Sequence, residues 1–135
     1  MKLQRKLLIY SHDSALRKAY ASYLSNNGIP TDSCGTASQL KRLVSLYEYE
    51  FILMNIDNLA ADPAKETLEG CLDQLRKPHG PNTLLIATSA HKLNKEDLNN
   101  FTWFLQEPIT PKTILTKISQ IRQQFPKQLS LIHIS

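Results

Sequence analysis

Short apolar segments alternate along this chain with longer amphipathic segments, and this alternation restricts the fold more than any other feature. The clearest apolar segment is FILMN at 51–55, a nearly continuous hydrophobic run of the kind found in strands covered on both faces. The amphipathic segments repeat apolar residues at helical spacing, as in the series Leu40, Leu43, Val44 and Tyr47. A chain of this kind is predicted to form a parallel β-sheet with helices on both faces.

The pattern predicts five strands and five helices in strict alternation. The strands are predicted at 6–10, 30–34, 51–55, 83–88 and 101–105. The helices are predicted around 16–24, 40–47, 68–75, 95–100 and 114–125. Parallel strands end at a common edge of the sheet, and polar residues follow four of these strands. A functional site is therefore expected at that carboxyl edge.

Size and charge exclude several classes of protein. The 135 residues are predicted to form one domain at 1–126, and the tail at 127–135 is expected to be linker or foreign sequence because it does not continue the last helical pattern. The net charge of +4 is spread along the chain, so nucleic acid is not expected as a partner. The apolar runs are too short to cross a bilayer and the N-terminus has no signal-peptide pattern. A cytoplasmic domain without direct membrane contact is expected, with any anchor elsewhere in a longer parent chain.

The segment YSHDS at 10–14 contains the residue types of a hydrolase triad. Consecutive residues at a strand end point to alternating sides, so Ser11, His12 and Asp13 cannot converge on one reaction centre. Asp13 and Asp57, with His12, are weak candidates for metal ligands. The preferred interpretation makes Asp13 the N-cap of the first helix and Asp57 a turn residue. His12 is then expected to fill a pocket and to hydrogen-bond across it.

Taken together, the segments KLLIYSHDS, FILMN, TSAH and FLQEPI resemble a receiver domain, the phosphoacceptor module of two-component signalling. The resemblance covers about residues 6–124. It implies a flavodoxin-like (βα)5 sandwich with the strand order 2-1-3-4-5. It also places the acid pair of the family at Ser11 and His12, its phosphoacceptor at Asn55 and its lysine at Glu107. The switch hydroxyl of the family would be Ser89, and its switch aromatic residue would be Phe104.

The residues at these positions differ from those that receiver chemistry needs. Mg²⁺ is held by clustered carboxylates, and Ser11 and His12 supply none. The nucleophile must be a carboxylate, and Asn55 is an amide. The lysine that would neutralise the phosphoryl group is replaced by Glu107, which has the opposite charge. We therefore expect a pseudo-receiver that cannot be phosphorylated, binds no Mg²⁺ and is not an enzyme.

The resemblance extends to the middle domain of hybrid sensor histidine kinases of the BarA/GacS type. It implies a protein-interaction or scaffolding module whose partners are other domains of a sensor kinase or phosphorelay. Two alternatives remain open. One is a standalone atypical response regulator in which Glu107, His12 and Asn55 form a hydrogen-bonded cluster that titrates near neutral pH. The other is a residual phosphoacceptor that uses Asp57, with His12 and Asp13 in place of the acid pair.

Overall fold

The structure is a computed structural model that describes residues 3–57, 83–91 and 103–124. The described part contains strands β1 (Leu3–Tyr10), β2 (Thr31–Cys34), β3 (Tyr47–Asn55), β4 (Leu84–Ser89) and β5 (Trp103–Gln106), and helices α1 (Ser14–Asn26), α2 (Ala37–Leu46) and α3 (Pro111–Gln124). All five strands are parallel, in the order β2-β1-β3-β4-β5, which confirms the predicted sheet. The helices predicted at 68–75 and 95–100 and the tail at 127–135 lie outside the described residues. None of the described helices has the length and hydropathy needed to cross a membrane.

Capping residues fix where the first two helices begin and end. Asp13 is the N-cap of α1, as predicted, and its Oδ1 accepts a hydrogen bond of 3.0 Å from the amide of Leu16. Thr36 caps α2 in the same way, with 3.1 Å between its Oγ1 and the amide of Gln39. Gly28 follows α1 with a φ of 86°, a left-handed conformation that favours glycine. The chain can therefore turn directly from α1 into β2.

The apolar core lies on both faces of the sheet. On one face, α1 and α3 cover strand residues that include Leu7 and Phe51, and the side chains of Ile114, Ile118 and Ile121 are fully buried there. On the other face, α2 covers strand residues that include Leu8, Ile52 and Met54. Burial of one such side chain contributes about 1.5–3 kcal/mol, so both layers contribute to stability. The helical spacing predicted for α3 is confirmed by its three buried isoleucines.

The start of β3 differs from the sequence-based prediction. Tyr47 was expected to continue the apolar stripe of α2, but α2 ends at Leu46 and Tyr47 is extended, with a φ of −128°. The residues Tyr47, Tyr49 and Phe51 alternate with charged residues, which is the two-residue period of a strand. Tyr49 pairs with Arg5 of β1 and is buried, so the pairing of β3 with β1 decides the boundary.

A hydrogen bond from Tyr49 links two strands that are not neighbours. The Tyr49 hydroxyl on β3 donates to Oδ2 of Asp32 on β2 at 2.7 Å, passing over the intervening β1. Burial, with this hydrogen bond next in importance, raises the pKa of the Tyr49 phenol above its usual value. The phenol therefore keeps its proton and remains a donor to Asp32 at any ordinary pH.

Candidate functional site

The ends of the strands bring three of the predicted site residues to one cleft. Tyr10 pairs with Met54 and Asn55 pairs with Thr88, so the residues that end β1, β3 and β4 lie side by side. The cleft is small, with room for about one water molecule, and it is partly open to solvent. Its walls include the polar residues Ser11, Asn55 and Glu107 and the apolar residues Leu16, Leu53 and Ile109.

The central polar contact of this cleft joins Asn55 and Glu107. Nδ2 of Asn55 donates to Oε1 of Glu107 at 2.7 Å, and both side chains are half-buried. The position of Glu107 is fixed further because its backbone amide donates to the carbonyl of Ser89 at 2.8 Å. The two positions that the resemblance assigns to the phosphoacceptor and the lysine are therefore in direct contact, as an amide donor and a carboxylate acceptor.

Ser11 is held at the end of β1 mainly by its backbone. Its amide donates to the carbonyl of Cys34 at 3.1 Å, and its carbonyl accepts a hydrogen bond from the guanidinium of Arg17. Its Oγ lies 3.3 Å from the amide of Asp13, at the start of α1. Ser11 is buried, and it brings a hydroxyl rather than a charge to the cleft.

His12 occupies a different place from the one expected for it. The sequence interpretation had it fill the pocket, whereas its side chain is exposed. Its Nε2 lies 3.2 Å from the hydroxyl of Tyr10, and the two rings meet edge-on with their centroids 5.9 Å apart. The physical reason is the alternation of side chains at a strand end, which turns Ser11 inward and His12 outward.

Asp57 makes contacts that the sequence interpretation missed. Its Oδ1 accepts a hydrogen bond of 2.6 Å from Oγ of Ser89, and its Oδ2 accepts one of 2.8 Å from the amide of Ala90. The carboxylate therefore connects the end of β3 with the end of β4, beyond the role of a turn residue. The sequence contained a signal for this contact. Asp57 lies two positions after a predicted strand, and the hydroxyl of Ser89 follows another predicted strand at the same edge.

The structure shows where the two remaining candidates, Ser89 and Phe104, lie, but it does not show a role for either. Ser89 is fully buried, and its Oγ also accepts a hydrogen bond of 2.9 Å from the amide of His91. Phe104 is half-buried on β5, where it pairs with Ala87 of β4. Their part as a switch pair stays a prediction. In the described part of the chain, no group of three histidine, cysteine, aspartate or glutamate residues lies close enough together to hold a metal ion.

The pKa of Tyr20 reflects the charges at the carboxyl edge of the sheet. The hydroxyl of Tyr20 donates to the carbonyl of Ile109 at 2.8 Å. Burial raises the pKa of Tyr20 above its usual value, and the negative charges of Glu107 and Asp13 add to this effect. The edge therefore keeps negative charge, although the residues that carry it do not stand at the positions of a receiver's acid pair.

Comparisons with known proteins give matches at the level of structure. No family model and no curated protein matches the chain. A CheY-like receiver domain protein from Methanospirillum hungatei JF-1 has a TM-score of 0.74 at 16% identity, covering 93% of this chain and 98% of that one. A CheY-like receiver domain from Methylobacillus flagellatus has a TM-score of 0.69 at 20% identity, covering 87% and 98%. An orphan response regulator of H. pylori has a TM-score of 0.68 at 12% identity, covering 96% and 99%.

These likenesses define the class of fold. The parallel sheet with the order β2-β1-β3-β4-β5 and its covering helices is that of CheY-like receiver domains, which are flavodoxin-like. The chain therefore has the receiver fold of response regulators, as the resemblance implied. A fold by itself assigns no activity, so any function must be argued from the site.

Proposed function

We propose that this chain is a pseudo-receiver: a receiver-like domain that accepts no phosphoryl group and acts by binding other proteins of a two-component signalling pathway. The observation that carries the proposal is the 2.7 Å hydrogen bond between Nδ2 of Asn55 and Oε1 of Glu107. It joins the two residues at the positions that the resemblance assigns to the phosphoacceptor and the lysine, which supports the loss of phosphoryl transfer.

The chemistry of this pair opposes phosphoryl transfer in two ways. An acyl phosphate forms by attack of a carboxylate oxygen, and the amide of Asn55 is not such a nucleophile. A phosphoryl group carries negative charge, so it needs positive groups or hydrogen-bond donors where that charge develops. Glu107 instead presents a carboxylate at the cleft, and two negative charges a few ångströms apart repel each other by about 1–4 kcal/mol near a protein surface.

The residues of the cleft do not fit Mg²⁺, the cofactor of working receivers. Mg²⁺ requires hard oxygen ligands in near-octahedral geometry and is usually held by one or two carboxylates. Ser11 supplies a hydroxyl here, and His12 is exposed beside Tyr10. Oε1 of Glu107 is already engaged with Asn55. These residues therefore do not form a ligand set for Mg²⁺.

Asp57 is the second candidate for a phosphoacceptor, because its carboxylate lies at the same edge and touches the hydroxyl of Ser89. Both of its oxygens, however, accept hydrogen bonds, from Ser89 and from the amide of Ala90. A carboxylate that accepts two hydrogen bonds is a weaker nucleophile, because the donors stabilise the negative charge that would attack. This candidate is therefore the less favoured one.

The partners that we propose are the kinase and phosphotransfer domains of a hybrid sensor histidine kinase, in the manner of the middle domain of the BarA/GacS type. A receiver fold that cannot be phosphorylated keeps a surface for binding other proteins, but it loses the change that phosphorylation would cause. Its binding should then be independent of phosphorylation. The domain would hold its neighbours in a geometry suitable for phosphotransfer between them.

The proposal is tested by titrating the purified chain with the histidine-kinase core and the phosphotransfer domain encoded in its own genome, using calorimetry. We expect binding to one of them with the same Kd, within about twofold, with and without Mg²⁺ and acetyl phosphate. A phosphorylatable receiver from the same genome serves as the control whose binding should change. Binding that needs acetyl phosphate, or no binding to either domain, would contradict the proposal.

A further inference from the structure

We propose that the cleft at the carboxyl edge of the sheet binds a primary ammonium group, which donates hydrogen bonds to Glu107 and Thr88. Such a group stands at the end of a lysine side chain, and it is also present in small free amines. The inference goes beyond the proposed function and does not depend on it, because it concerns the chemistry of a ligand and is tested with small amines alone. The charge of the cleft, a buried hydroxyl and the available space support it.

Glu107 brings a negative charge to the cleft. Its side chain is half-buried and lines the cleft, where its Oε1 accepts the 2.7 Å hydrogen bond from the neutral amide of Asn55. Within residues 3–57, 83–91 and 103–124, no lysine, arginine or histidine forms an ion pair with Glu107. After burial, the charge of Glu107 is the next cause that raises the pKa of Tyr20, another residue of the cleft wall. A cation that entered the cleft would therefore be attracted by this carboxylate.

Thr88 brings a buried hydroxyl to the same cleft. It pairs with Asn55 on the neighbouring strand, lines the cleft and is only 3% exposed. Its hydroxyl makes no hydrogen bond with any other residue of the described part of the chain. A buried hydroxyl without a partner is unfavourable, and its oxygen has lone pairs that can accept from an N–H group. A ligand with several N–H donors would satisfy Thr88 and Glu107 together.

The space and the walls of the cleft select the kind of cation. There is room for about one water molecule, which is also about the size of an ammonium group. Leu16 and Ile109 are half-buried and line the cleft, so an alkyl chain attached to the ammonium group would contact apolar side chains. A divalent metal ion needs about six oxygen ligands, whereas an ammonium group has three N–H donors and needs only a few acceptors.

The test is an NMR titration of the purified chain with n-butylammonium chloride at neutral pH, with potassium chloride at the same ionic strength as the reference. We expect a saturable shift of the Thr88 amide and methyl signals, with a Kd on the order of 10 mM because the ligand is small. Tetramethylammonium chloride has the same charge but no N–H donor, so it should not produce this shift.

Ammonium chloride distinguishes the two sources of the group. If n-butylammonium binds about 3- to 30-fold more tightly than the ammonium ion, the alkyl chain contributes through apolar contacts, and the site fits a lysine side chain. Equal affinities would also support the site, and they would assign it to a free ammonium ion. A wild-type spectrum without any saturable shift beyond that of potassium chloride overturns the proposal, as does an equal response to tetramethylammonium.

Three variants show whether the named residues form the site. Glu107→Gln removes the charge, so it should weaken n-butylammonium binding at least about tenfold. Thr88→Val replaces the hydroxyl by a methyl group of similar size and should weaken binding about 3- to 10-fold. Glu48→Gln removes a negative charge near the start of β3, at the other end of that strand, and should leave the affinity unchanged. Equal binding by Glu107→Gln and Glu48→Gln would contradict the proposal, provided that the other amide signals show both variants to be folded.

Discussion

The variant that combines Ser11→Asp, His12→Asp, Asn55→Asp and Glu107→Lys is expected to bind Mg²⁺ and to gain a phosphoryl group from acetyl phosphate, whereas the wild type gains none. Ser11 and Asn55 line the same cleft, so carboxylates at 11 and 55 would supply two oxygen ligands there, and a carboxylate at 12 would add negative charge to the same edge. The contact between positions 55 and 107 would become a carboxylate–ammonium pair, placed to receive an anion. Intact-mass spectrometry after incubation, with calorimetry for Mg²⁺, measures both gains.

Glu107→Gln is the matched control for this variant. It removes the repelling charge and keeps an oxygen that can accept the hydrogen bond from Asn55, but it provides no nucleophile and no ligand cluster. It should therefore show no mass increase. A fourfold variant that is folded and yet binds no Mg²⁺ would show that the four positions have been assigned to the wrong roles.

Phe51→Ala is expected to lower the free energy of unfolding by about 3–5 kcal/mol. Phe51 is fully buried in β3, pairs with Leu7 and Leu84 on the neighbouring strands, and lies under the guanidinium of Arg122 at 5.5 Å from the ring centroid. Its removal leaves a cavity between the sheet and α3. Since a domain of this size is stable by about 5–15 kcal/mol, the loss is a large part of the total, and denaturant unfolding measures it.

Leu46→Ala is the control for that experiment. Leu46 is also a large apolar residue, but it is 50% exposed at the end of α2. Its truncation should change the free energy of unfolding by less than about 1 kcal/mol, because little apolar surface is buried there. Equal losses for the two substitutions would mean that the core between β3 and α3 is not packed as described.

The fold was largely predictable from the sequence because its periodicities are strong. The helix predicted around 114–125 corresponds to α3, whose residues Ile114, Ile118 and Ile121 are buried at helical spacing, and the apolar run at 51–55 predicted the centre of β3. The error at Tyr47 arose because an aromatic residue at helical spacing from Val44 fits a helix and a strand equally well locally. Pairing with β1 decides between them, and pairing is a long-range property that periodicity does not contain.

Only those features of the site that follow from the positions of the strand ends were predictable from the sequence. That Asn55 and Glu107 share one edge follows from the parallel sheet, and their direct contact agrees with the positions given by the resemblance. The outward direction of His12 and the reach of Asp57 to Ser89 depend on local backbone geometry after the strands. Spacing along the chain places both residues at the carboxyl edge, but it does not contain that geometry, so the contact of Asp57 with Ser89 and the exposure of His12 were not predicted.

The most direct measurement of the central claim is intact-mass spectrometry of the wild-type chain after incubation with Mg²⁺ and acetyl phosphate. The contact of Asn55 with Glu107 predicts an unchanged mass, under conditions in which a working receiver from the same organism becomes phosphorylated. A mass increase of one phosphoryl group that disappears in Asp57→Asn would contradict the account, because it would make this edge of the sheet a functioning phosphoacceptor site.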